Sequence, residues 1–179
     1  MLFSLPLAEL PLHPAIVHLP LGLSMVMPLL TLALLVGRRW LGPPAVALVA
    51  GLQVLVLAGA LAAERTGEEA EEGAERQNVP HDIIHEHEER AELFTLLAGI
   101  TALSLIAAAA AKERKPALPL IGVGALLSAA TLAQGLRTGH EGGELVFEHG
   151  AGVERVGDAA VGEPAGRSHE GAEGGGAVH

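Results

Sequence analysis

The side chains best suited to chemistry in this 179-residue chain are its nine histidines. Imidazole titrates near neutral pH and ligates zinc, copper, iron and haem iron. His13 and His18 stand near the start, and His81, His85 and His87 in the middle. His140 and His149 follow the last long apolar stretch, while His169 and His179 fall in a Gly/Ala/Glu tail. No cysteine accompanies them. That excludes disulfides, zinc thiolates, iron–sulfur clusters, c-type haem attachment and a thiol nucleophile. There is no Ser/His/Asp grouping at a readable spacing and no phosphate-binding loop, so nothing indicates a hydrolase, and enzymatic activity is left open.

The elements that must position these histidines are apolar. Half of the residues are hydrophobic and 18% are charged, against about 25% charged in an average soluble domain. Mean hydropathy is +0.41. Four stretches, 15–37, 42–63, 93–111 and 116–136, contain no Lys, Arg, Asp or Glu. As helices rising ~1.5 Å per residue, each crosses a hydrocarbon core of ~30 Å. Residues 1–12 carry no Lys or Arg but do carry Glu9, so the first stretch reads as a retained helix, not a cleavable leader.

The expected fold is all-α. It is an integral membrane four-helix bundle over residues 1–155, with helices at about 14–37, 43–63, 80–111 and 116–137. Asn78 reads as the cap of the third helix, with Pro80 early in it. Glu64–Gln77 reads as a solvated acidic loop. The Gly-rich run after helix four, with Leu145–Phe147 extended, reads as a short lid over the bundle mouth, and 156–179 as a disordered tail. Small residues such as Ala50, Gly51, Gly59, Gly122 and Gly124 permit close helix packing. Gln53, near mid-membrane, is expected to face the interior as a bundle hydrogen bond or a substrate contact.

Charge orients the bundle. Arg38, Arg39, Lys112, Arg114 and Lys115 supply five of the eleven basic residues to two short turns whose only acid is Glu113. The positive-inside rule makes those turns cytoplasmic, with Trp40 as an interfacial anchor, and places both termini outside a plasma membrane. The formal net charge of -10 argues against a nucleic-acid partner. The lipid bilayer and redox proteins are the expected partners.

On this topology the seven histidines outside the tail share one membrane face. His13 precedes Pro14, and it reads equally as a helix-start residue or a ligand. His18 lies about a turn inside the first helix, where an ionisable side chain is a functional candidate by default. His87 continues onto Ala91, Phe94 and Ala98, an uncharged line that enters the bundle. His81 and His85 are i, i+4 on a wetter face with Glu88, Glu89 and Glu92. A surface metal site at His81, His85 and Glu88 or Glu89 is compatible with this spacing.

The sequence resembles a widespread bacterial family of four-helix membrane proteins of unknown function. Its opening motif is matched by His13-Pro14, Val17-His18 and Pro20. The motif before helix three is similar to His87-Glu88 with Ala91. The closing motif is matched by Gly142-Gly143, Leu145-Val146, His149-Gly150 and Gly152-Val153. Where the family usually carries Tyr, this chain has Phe147. Some relatives are fused to Rieske domains, and the resemblance therefore implies redox company.

The leading functional expectation is electron transfer through a b-type haem or redox metal, with His18 and His87 facing each other and His13 and His149 nearby. The alternative is zinc or copper binding or transport, drawing on His13, His18, His85, His87, His140 and Glu88. A third possibility is a structural accessory subunit without cofactor.

Overall fold

The computed structural model describes residues 12–37, 39–111 and 114–151. Four helices follow one another: α1 (Leu12–Val36), α2 (Pro43–Arg76), α3 (His81–Ala110) and α4 (Arg114–Phe147). All four are long and apolar enough to cross a membrane. Each packs against its chain neighbours, and α1 closes the ring against α4. The result is a four-cornered bundle with no strand among the described residues.

The exterior is apolar and the interior is small and mildly polar. Leu29, Leu32, Leu103 and Leu126 point outward, as suits contact with hydrocarbon. Inside lie Ala60, Ala98, Ala102 and Ala108, together with buried Ser24, Thr31, Gln53, Thr101, Ser128 and Thr131. These polar groups bond to one another or to carbonyls. Thr31 meets Ser128 at 3.1 Å and Thr101 meets Thr131 at 3.3 Å. Gln53 Nε2 donates to the Ala98 carbonyl at 3.0 Å, so its interior role is a hydrogen bond between α2 and α3. Close approach depends on missing Cβ atoms. A Cβ on Gly124 would lie 2.6 Å from Leu105 Cδ2, and one on Gly135 2.8 Å from Phe94 Cε2.

Two helices run farther than the charge pattern predicts. The acidic segment 64–76 is the continuation of α2, not a loop. Its Glu and Ala residues are good helix formers, and water solvates their exposed carboxylates. Asn78 does not cap α3. It adopts φ 62° and closes α2 instead, with Asn78 N–H donating to Glu75 O and Val79 N–H to Ala74 O. Asn tolerates this left-handed turn, and Pro80 occupies the cap of α3.

The run 138–147 is likewise helical, so the extended lid expected at Leu145–Phe147 is the last turn of α4. The turn that follows α4 closes at Gly150, φ 71°. There Gly150 N–H donates to Val146 O and Ala151 N–H to Leu145 O. A second apolar cluster of Ala74, Val79, Ile84 and Leu145 ties the ends of α2, α3 and α4 together. The expected tail, 156–179, lies outside the described residues.

Candidate functional site

Each helix buries one stripe, and the stripes converge at the end of the bundle that holds the α2–α3 turn. On α1 the buried positions Leu34, Thr31, Met27, Ser24 and Pro20 step by three or four residues toward Val17 and His13. On α3 the stripe of Leu105, Thr101, Ala98 and Phe94 continues through Ala91 to His87. On α4 it runs from Ser128, Thr131 and Gln134 to Thr138, Glu141 and Gly142. A spacing of this kind keeps side chains on one helix face. The polar side chains at the ends of these stripes form the site.

His13 crosses to α2. Its Nδ1 lies 2.9 Å from Ala63 O and 3.3 Å from Thr66 Oγ1. A carbonyl only accepts, so Nδ1 carries the proton and the other ring nitrogen, Nε2, keeps its lone pair. The ring packs on backbone, since a Cβ on Gly67 would lie 3.3 Å from His13 Cε1.

His87 crosses to α4, and it packs in the same way. A Cβ on Gly142 would lie 3.1 Å from His87 Cε1. His13 and His87 end the inward stripes of α1 and α3 at the same end of the bundle. His87 Nδ1 is buried and has no hydrogen-bond partner. An orphaned buried ring nitrogen is costly, and it needs an explanation.

Beside His87 lies an ion chain. Arg90 Nη2 donates to Glu86 Oε1 at 3.0 Å, and Arg90 Nε to Glu141 Oε1 at 3.0 Å. The Arg90 carbonyl accepts from Gln134 Nε2 and Thr138 Oγ1, each at 3.1 Å. Glu141 Oε2 is a second buried atom without a partner. Glu141, Thr138 and Gly67 escaped the motif reading. For Thr138 and Glu141 the signal was the α4 stripe register, which passes through them.

The remaining sequence candidates are placed differently. His18 is exposed, and its Nδ1–H donates to Pro14 O. It does not face His87, because five residues turn it about 140° from His13, which takes the inward position. His85 is also exposed and lies 3.7 Å from Glu88 and 3.5 Å from Glu89. His87 therefore turns inward and His85 outward, the order predicted from the faces of α3. His140 pairs with Glu144 on the surface at 3.2 Å. His149 sits half-buried past the end of α4, at the helix end and not between the helices.

Residues 9–155 match the family described as Predicted membrane protein (DUF2231). The chain belongs to this family. The match spans all four helices and includes His13, His87, Glu141 and Gly142. No curated protein and no solved structure matches the chain, so this DUF2231 member is an integral membrane protein whose chemistry must be argued from its own residues.

Proposed function

We propose that this membrane protein holds a redox-active transition metal through His13 and His87 and passes electrons at that end of the bundle. One observation carries the reading: His87 Nδ1 is buried and unpartnered at the end of the bundle where His13 also turns inward from α1. His13 offers the complementary donor, its Nδ1–H being fixed by Ala63 O. An imidazole oriented through one nitrogen and ligating through the other is the usual form of a metal-binding histidine. Gln134, Thr138 and Arg90 hold α3 against α4, which fixes the depth of His87.

The shared chemistry is imidazole ligation, and it serves either a bare ion or the iron of a haem b. The packing favours the bare ion. Gly67 and Gly142 bring helix backbone against the two rings, and a porphyrin would require the helices to part. The basic residues Arg39, Arg114 and Lys115 sit at the opposite end of the chain's helices. The positive-inside rule then turns the histidine end toward the outside of the plasma membrane, where a soluble redox protein can reach it.

Elemental analysis and absorption spectra of detergent-purified protein test this reading. With Glu71 and His81 of the exposed α2–α3 turn changed to Gln and Ala, so that only metal in the core is counted, about one metal equivalent is expected with or without His18→Ala, and its loss on adding His13→Ala or His87→Ala. A Soret band assigns the metal to haem, and its absence with metal present assigns the bare ion. Metal-free protein in that background, or full occupancy without His87, overturns the proposal.

A further inference from the structure

A second group of ligating side chains lies outside the bundle core, on the hairpin between α2 and α3. Glu71 and Glu75 are one helical turn apart on α2, and His81 and His85 one turn apart on α3. The turn through Asn78 folds these pairs against each other. One donor atom from each of Glu71, Glu75 and His81 lies within 4.8 Å of the other two. His81 Nδ1 is 3.4 Å from Glu75 Oε1. His85 stacks on His81 with ring centroids 6.3 Å apart and planes 12° from parallel. Glu88 Oε2 lies 3.7 Å from His85 Nδ1, and burial, together with Glu88, pushes the Glu71 carboxyl above its ordinary value.

Packing alone does not account for this arrangement. Two carboxylates with oxygens within 4.8 Å and two imidazoles stacked face to face are pairs of like groups. They gain little from each other in water, and two carboxylates repel. A cation among them turns the contacts into attraction. The donors also ride on a fixed backbone, because Ala74, Val79 and Ile84 anchor this hairpin on Leu145. The donor set names the class of ion. Calcium and magnesium prefer oxygen alone, whereas imidazole mixed with carboxylate suits zinc and its neighbours in the first transition row.

We propose that the α2–α3 hairpin binds one divalent ion of the zinc class through Glu71, Glu75 and His81, with His85 and Glu88 as the adjoining donors. This site is separate from the His13–His87 pair, since His85 and His87 point to nearly opposite faces of α3. An ion there clamps together the two helices that project beyond the apolar spans, and acidic neighbours such as Glu68 and Glu72 raise the local cation concentration.

Zinc is titrated calorimetrically into the chelator-treated, full-length protein in detergent, carrying His13→Ala and His87→Ala so that the core pair contributes nothing. One zinc per chain is expected. Adding Glu71→Gln and His81→Ala weakens binding by about tenfold or more, whereas Glu69→Gln, an exposed acid on another face of α2, leaves it unchanged. Calcium at the same concentration does not displace zinc. The proposal is overturned if the core-site variant binds no zinc, if the Glu71/His81 variant keeps its affinity, or if calcium competes as an equal. Circular dichroism on each variant confirms that the helices are intact. Failure of the core-site reading leaves this result unaffected.

Discussion

Adjacent glycines on α4 provide a matched pair of substitutions that reads the position of His87. A Cβ on Gly142 would lie 3.1 Å from His87 Cε1, whereas one on Gly143 meets nothing within 4 Å. Both changes to Ala gain helix propensity, worth ~1 kcal/mol. Only Gly142→Ala then drives a methyl group into a packed ring. Ordinary contact begins near 3.4 Å, so the ring must retreat by roughly 0.3 Å, and overpacking of this kind costs about 1–3 kcal/mol. Gly142→Ala is therefore expected to be less stable than Gly143→Ala by about that amount. At this chain length the gap is several degrees in thermal midpoint, at ~2–4 °C per kcal/mol. Metal geometry tolerates only about ±0.2 Å, so Gly142→Ala also lowers metal affinity while Gly143→Ala preserves it. Thermal unfolding followed by circular dichroism, with metal content measured on the same samples, reads both effects. Equal midpoints and equal metal content in the two variants would refute the placement of His87 against α4.

Three further outcomes follow from the packing and the charges. Gly124→Ala places a methyl group 2.6 Å from the fully buried Leu105 and is expected to destabilise the bundle by about 1–3 kcal/mol, measured by unfolding in detergent, whereas Gly122→Ala, with open space around it, does not. Gln53→Leu removes the hydrogen bond to Ala98 O and is expected to cost about 0.6–1.7 kcal/mol in the same assay, with metal content unchanged. Reporter fusions after Arg39 and Lys115 should read cytoplasmic and fusions after Gln77 external; one reversed turn would remove the external assignment of the histidine end.

The spans were legible because charge is excluded from hydrocarbon, and four uncharged runs of sufficient length leave few alternatives. Helix ends were not, because charge marks where the membrane stops and not where the helix stops. Segment 64–76 stays helical in water on the strength of its Glu and Ala. Segment 138–147 stays helical despite Gly139, Gly142 and Gly143, because α4 continues to pack there: Gly142 lies against His87 and Leu145 fills the second apolar cluster. Tertiary contact overrides glycine's low propensity. At the site, the inward turn of His87 could be read from the uncharged line it shares with Ala91, Phe94 and Ala98. That His13 and not His18 takes the inward face of α1 was missed by weighing depth alone. The register of α1 contained the answer, since only His13 extends the stripe through Pro20, Ser24 and Met27.

X-ray absorption at the metal edge of the purified protein, carrying Glu71→Gln and His81→Ala to silence the hairpin, addresses the core ligands directly. Imidazole nitrogens at about 2.0–2.1 Å are expected in the first shell, reduced or lost in His87→Ala and unchanged in His18→Ala. A shell of oxygen alone, or one that survives the loss of both His13 and His87, would contradict ligation by this pair.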